Sequence, residues 1–159
     1  MTQKQLIELI QQHHPIMGET EIRLALNRAQ DDFCAKTELI KETYTQPSIA
    51  GRRYYTLDSQ ILKIQSVDVN DVSIPRYQSI SEVKEIRIYA ISQATDFTTD
   101  LTEVSELPSQ FHDALSYKVL AESYLKGLSA QFNPQASQIF EAKYMALVKD
   151  GRKHARSQY

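Results

Sequence analysis

Apolar residues recur at helical spacing at both ends of this chain and alternate strictly only in its middle. That change of period limits the fold more than any other feature, because period 3.6 and period 2 bury different faces. Leu6, Ile7 and Ile10 share one face of a helix expected from about Thr2 to His14, where Pro15 disfavours continuation. A second helix is expected from Glu19 to Glu42, its stripe running Ile22, Ala25, Leu26, Ala29, Phe33 and Ile40. Glu19 and Glu21 suit the positive end of its dipole. Pro47, Ser48 and Gly51 then break the pattern, and Tyr54-Tyr55-Thr56-Leu57 is a cluster of β-formers. Ile61 to Val69 is rich in β-branched residues, and Asn70-Asp71 offers a turn into Val72-Ser73-Ile74. From Glu85, the residues Ile86, Ile88 and Ala90 alternate with Arg87, Tyr89 and Ile91, as in a strand.

Helical spacing returns after Leu107-Pro108, with proline in the first turn of a helix reaching Lys126 and Gly127 placed to stop it. Phe111, Ala114, Leu115, Tyr117, Val119, Leu120, Ala121, Tyr124 and Leu125 cover most of its circumference, leaving a polar window at His112, Ser116 and Ser123. A helix this apolar has to be buried against more than one neighbour. Asn133-Pro134 reads as an N-cap and first helical residue, opening a helix to about Asp150 with Ile139, Phe140, Tyr144, Leu147 and Val148 on its apolar side. Gly151 marks an expected change of course. The expected fold is mainly α, a bundle of about four helices with an inserted β-hairpin or small antiparallel sheet. Residues 1–150 form one helical domain with the β insertion at about 52–91, and 151–159 form a basic tail.

A length of 159 residues fits one domain, and a hydrophobic share of 42% allows only a modest core, a hint that burial is completed between subunits. Net charge is −2 and the pI about 6.1, which argues against a general nucleic-acid binder. Charge is uneven, however. Asp96, Asp100, Glu103 and Glu106 occupy a stretch without cations, while Lys149, Arg152, Lys153 and Arg156 face a single Asp150. The lone Cys34 fits a reducing compartment. The N-terminal residues are too polar for a signal peptide, and no run approaches a membrane span, so a soluble protein made in the cytoplasm is expected.

Chemistry-bearing constellations are weak. His13 and His14 are adjacent, so on a helix they point about 100° apart and share an ion badly. His112-Asp113 with Ser109 or Ser116 lacks the elbow and glycine-built oxyanion loop of a hydrolase. Asp31-Asp32 and the acidic run at 96–106 show no calcium-loop pattern, and four glycines in all leave no phosphate-binding loop. Nine tyrosines, among them Tyr44, Tyr54, Tyr55, Tyr77 and Tyr89, suit protein interfaces better than base stacking, since few cations lie between them. No enzymatic activity, cofactor or metal is expected.

In order, the chain has two N-terminal helices, the strand start YYTLD (Tyr54 to Asp58), a hairpin, the strand EIRIYAI (Glu85 to Ile91) and an acidic loop. Then come LPSQFHDAL (Leu107 to Leu115), opening a long helix, and a last helix with FEAKYMALV (Phe140 to Val148) before basic residues. This resembles the head–tail connector, or portal adaptor, family of tailed phages across nearly the whole chain. Asp58 stands where that family often has proline. The resemblance implies a ring of about twelve copies, built by one face meeting the opposite face of the next copy. It implies a place in the virion neck after assembly in the host cytoplasm, with the portal, tail or neck proteins and passing DNA as partners, and no membrane. Lys149, Arg152, Lys153, His154, Arg156 and Tyr159 are then expected to reach into the portal, ordering on assembly. Tyr54, Tyr55, Asn70, Asp71 and Tyr77 are expected at a ring or tail interface. Alternatives are a stopper or tail terminator, richer in β structure, and a DNA-packaging accessory whose DNA affinity falls steeply with salt.

Overall fold

The order of elements follows from local caps and turns. A computed structural model describes residues 1–50, 52, 54–74, 84–126 and 132–157. Expectations resting on Gly51, Tyr77, Gly127 and Tyr159 lie outside them. The chain divides into two compact units: Met1–Leu39 with Ala94–Tyr159, and Ile40–Gln93.

In the first unit, helix α1 (Gln3–His13) opens on a capping box. Gln5 N–H donates to the Thr2 hydroxyl at 3.3 Å, and Thr2 N–H donates to Gln5 Oε1 at 2.9 Å. Helix α2 (Glu19–Thr37) stops where Glu38 turns left-handed at φ 56°, its N–H closing onto the Cys34 carbonyl at 2.9 Å. The expected run to Glu42 is therefore corrected. Lys41 onward carries Thr43, Tyr44 and Thr45, whose β preference is realised by pairing with a distant strand. A single 3-10 turn, Ser109–Phe111, leads into α3 (His112–Lys126). Helix α3 packs against α1, α2 and a last helix, α4 (Pro134–Ser157), as its all-round apolarity requires. Its expected polar window is closed: Ser116 and Ser123 are buried, donating to the Asp113 and Val119 carbonyls at 2.8 and 2.7 Å. Asn133 does cap α4, accepting from Ala136 N–H at 3.0 Å ahead of Pro134.

The connection at 94–107 is pinned by amide side chains that imitate backbone. Asn27 donates to the Phe97 carbonyl at 3.3 Å and accepts from its N–H at 2.9 Å. Gln30 donates to the Thr95 carbonyl at 2.7 Å, and Gln3 to that of Thr98 at 3.1 Å.

The second unit is a four-stranded antiparallel sheet of β1 (Lys41–Pro47), β2 (Ile61–Val69), β3 (Val72–Ser73) and β4 (Glu85–Ser92), in the order β1-β4-β2-β3. Asn70 and Asp71 have φ of 49° and 63°, the two positive values a tight type I′ hairpin demands. Val69, Ile86, Ile88 and Ala90 form the sheet's own core, with Tyr44, Tyr55, Ile61, Ile64 and Val67 against it. This overturns the expected helical bundle with a small β insert. The fold is mixed α and β, because β1 pairs all along β4 and gives the strands a core of their own. Tyr54-Tyr55-Thr56-Leu57 forms no strand; Tyr55 packs its ring on that core instead.

Gly151 does not break α4. It is buried at a close approach to α2, where a β-carbon would come within 2.8 Å of Thr37 Cγ2 and 3.3 Å of the Phe33 ring. Thr37 cannot swing aside, since its hydroxyl donates to the Phe33 carbonyl at 2.7 Å. The tail expected to order only on assembly is thus helix as far as Ser157. Gly151→Val is expected to destabilise the helical unit by about 1–3 kcal/mol through overpacking; an unchanged thermal midpoint by circular dichroism would refute the close approach.

Candidate interaction surfaces

The outer face of α4 is held in place from beneath. Tyr144 is fully buried, and its hydroxyl donates to Asp32 Oδ2 at 2.7 Å. Lys36 reaches the same carboxylate oxygen at 2.7 Å. The Lys36 and Lys118 ammonium groups lie 5.2 and 5.3 Å from the Tyr144 ring centroid, within cation–π range. Lys118 also reaches Glu141 at 3.4 Å. Burial and the Asp32 hydrogen bond push the Tyr144 hydroxyl well above the ordinary tyrosine range. Further along, Arg152 Nε donates to the Lys36 carbonyl at 2.7 Å, capping the end of α2.

The residues expected to reach a portal therefore separate into two groups. Arg152, although exposed, is held by the helix contact, and His154 is half-buried with its ring 6.0 Å from that of Phe111. Lys149, Lys153 and Arg156 are exposed, Lys153 pairing with Asp150 at 3.0 Å. The same exposed face begins with apolar Ile139, 57% exposed, and Met145, 45% exposed. One rigid helix thus offers an apolar stretch followed by a cationic one. A second apolar surface is an open groove of about 760 Å³ lined by Ile16, Met17, Leu24, Ala25 and Val119, with Glu21 and Arg28 at its border. Neither Ile139 and Met145 nor this groove was expected from the sequence. Helical spacing puts Ile139 on the apolar side of α4, but spacing does not say how far round the helix its neighbours reach.

In the sheet unit the expected interface residues also separate. Tyr54 is 85% exposed. Tyr55 is half-buried, its hydroxyl accepting from Ile49 N–H at 2.8 Å and donating to the Ile49 carbonyl at 3.3 Å. Asn70 and Asp71 make the hairpin turn, and Asp71 pairs with Arg87.

The remaining candidates have structural partners. His112 is buried, bridging the Met1 amine at 2.6 Å and the Leu107 carbonyl at 2.7 Å. His13 meets Tyr124 Oη at 3.1 Å, and its ring lies edge-on to Phe140. In the acidic stretch Glu103 accepts from Thr98, Glu106 from Thr95 and Asp100 from Thr102, so these carboxylates close the local turns. Asp31 is different: burial, then the charge of Asp96, raises its pKa.

No protein-family model matches the chain, and no curated protein matches its sequence. Among the described residues no helix is long and apolar enough to cross a membrane.

Adjacent Asp31 and Asp32 are expected to act oppositely. Although burial works against the charged form of Asp32, the bonds from Lys36 and Tyr144 hold its pKa below the ordinary 3.8. Its stabilisation is therefore complete above about pH 4 and lost as pH falls through the lower folded value. Asp32→Asn should cost about 1 kcal/mol at neutral pH, a figure kept small by partial exposure, and should remove that acid dependence. The raised Asp31 pKa means its charge opposes folding above that pKa, so Asp31→Asn should slightly stabilise. Urea unfolding of the variants from pH 2.5 to 7 checks both signs; changes of like sign would contradict the assignment.

Proposed function

We propose that this chain is a structural head–tail connector of a tailed phage, forming a ring under the portal that extends the DNA channel and offers tail proteins a platform. The observation that carries the reading is the outer face of α4, where Ile139 and Met145 lead into Lys149, Lys153 and Arg156 on a helix anchored through Tyr144 and Gly151. An exposed apolar pair that leads into cations along one face of a packed helix suits a docking surface for an acidic and apolar partner. Because the surface is already folded, docking costs little ordering entropy. In this reading the portal contact is made by Lys149, Lys153 and Arg156, while Arg152 and His154 keep the helix in place. Its location is the virion neck, reached from the host cytoplasm. A stopper or tail terminator is the second reading: the four-stranded sheet suits it, whereas the four helices do not.

The test is native mass spectrometry of the chain mixed with a portal ring. Uptake of about one copy per portal subunit is expected. Lys149→Glu with Lys153→Glu should weaken it about tenfold or more while the circular dichroism spectrum stays the same. No uptake on the portal, with binding to a preassembled connector ring, would replace this reading by the second. A truncation at Gly151 is unsuitable, since it would also remove the buried Gly151 and Ala155.

A further inference from the structure

In two segments of the sheet unit, backbone groups are left without a strand partner among the described residues. The first is the outer edge of β1. Ser92 N–H donates to the Ile40 carbonyl at 3.0 Å and Ser48 N–H to the Lys84 carbonyl at 2.7 Å. With the Lys41↔Ile91 register, this directs the even-numbered residues of β1 toward β4 and Lys41, Thr43, Thr45 and Pro47 the other way. Among the described residues no strand pairs with that edge, and the outward N–H and C=O groups of Thr43 and Thr45 are unbonded. The second segment is Tyr54 to Leu57. Three of its four residues are strong β-formers, yet it belongs to no strand. Thr56 and Leu57 make no backbone hydrogen bond among the described residues, Tyr54 is 85% exposed and Leu57 41% exposed. A strong β-former left outside every strand is a local conflict that a partner resolves.

We infer that Tyr54 to Asp58 of one copy adds as an antiparallel strand to the outer edge of β1 in the next copy. One register places complementary neighbours at three outward positions. Tyr54 then stands opposite Thr45, Thr56 opposite Thr43 and Asp58 opposite Lys41. These are an aromatic–β-branched pair, a Thr–Thr pair and a pair of opposite charges, the three kinds of cross-strand neighbour that favour pairing. A parallel alignment would instead carry Asp58 to the Pro47 end, away from Lys41. The Tyr54 carbonyl already accepts from Arg52 Nε at 3.0 Å and keeps a second lone pair for Thr45 N–H. The Asp58 carbonyl and carboxylate, which already accept from Ile61 N–H at 3.2 Å and Gln60 N–H at 2.9 Å, keep further lone pairs. Tyr55, one residue out of phase, stays on its own core. Pro47, which has no N–H, ends the edge and limits the addition to this short stretch. The contact joins two different surfaces, so it propagates from copy to copy in the way a ring requires. In taking a second copy as the occupant, it rests on the ring reading.

The experiment uses the full chain carrying Lys41→Cys and Asp58→Cys, oxidised alone and on a portal ring, then weighed under denaturing, non-reducing conditions. The only native thiol, Cys34, is buried and has its pKa raised by that burial to about 11, so it competes poorly. Opposed residues of an antiparallel pair lie about 5.5 Å apart at Cα, within disulfide reach. Covalent dimers and higher multiples are expected from the double variant and not from either single variant. Adding Thr45→Pro, which removes only an outward N–H, should lower the multiples about tenfold, the loss of one backbone hydrogen bond per junction, with the thermal midpoint kept. Chains that remain monomeric, with the new thiols free or joined within one chain, would overturn the inference. So would multiples that form equally in the single variants or ignore Thr45→Pro. Interchain bonds in a chain that no portal takes up would keep this contact and discard the connector reading; uptake with unlinked thiols would do the reverse.

Discussion

The hydrogen bond from Tyr144 to Asp32 is what the helical unit is built around. It places a hydroxyl and a carboxylate where α4 crosses α2, in surroundings that would penalise either group alone. Lys36 and Lys118 balance the charge from opposite helices and lie against the tyrosine ring. With that point fixed, the next turns of α4 are committed. Val148 is buried one turn on, Gly151 lies where α2 leaves no room for a side chain, and Arg152 donates to the Lys36 carbonyl at the end of α2. The exposed side of α4 inherits this rigidity.

The helices, the hairpin turn and the Asn133 cap were legible because each has a local cause: spacing, a left-handed pair, a side-chain acceptor. What was not legible depends on distant partners. The stripe ending at Ile40 extends α2 on paper to Glu42, and pairing with β4 is what makes Lys41 to Pro47 a strand. Tyr54 to Leu57 has the composition of a strand but no described neighbour to complete one. Gly151 reads as a stop when seen alone. Its spacing of seven from Tyr144 and three from Val148 places it on the same buried stripe, a signal available in the sequence once the helix is allowed to continue. The acidic stretch at 96–106 stands out in the sequence as a run without cations, yet most of its carboxylates accept from threonines two to eleven residues away. Short-range pairing of Thr with Asp or Glu was the missed cue.

The candidate site was partly legible for the same reason. Counting cations near the C-terminus found Lys149, Lys153 and Arg156 together with Arg152 and His154, of which the last two hold contacts within the helical unit. Charge can be read from a sequence, whereas the face a charge occupies requires the helix and its neighbours. The two units divide the labour accordingly. In our proposal the helical unit offers a fixed docking face, and the sheet unit offers a backbone edge together with the segment that fits it.

All of this requires that α4 be ordered through Gly151 before any partner arrives. Amide hydrogen exchange on the free, full-length chain tests that directly. Protection at Gly151 to His154 comparable with that of the preceding turn is the expected result, because each of these amides lies within a helix pinned at Tyr144, Gly151 and Arg152. Exchange at those four amides as fast as in an unstructured peptide would contradict it, and would return the C-terminal segment to a tail that folds only on binding.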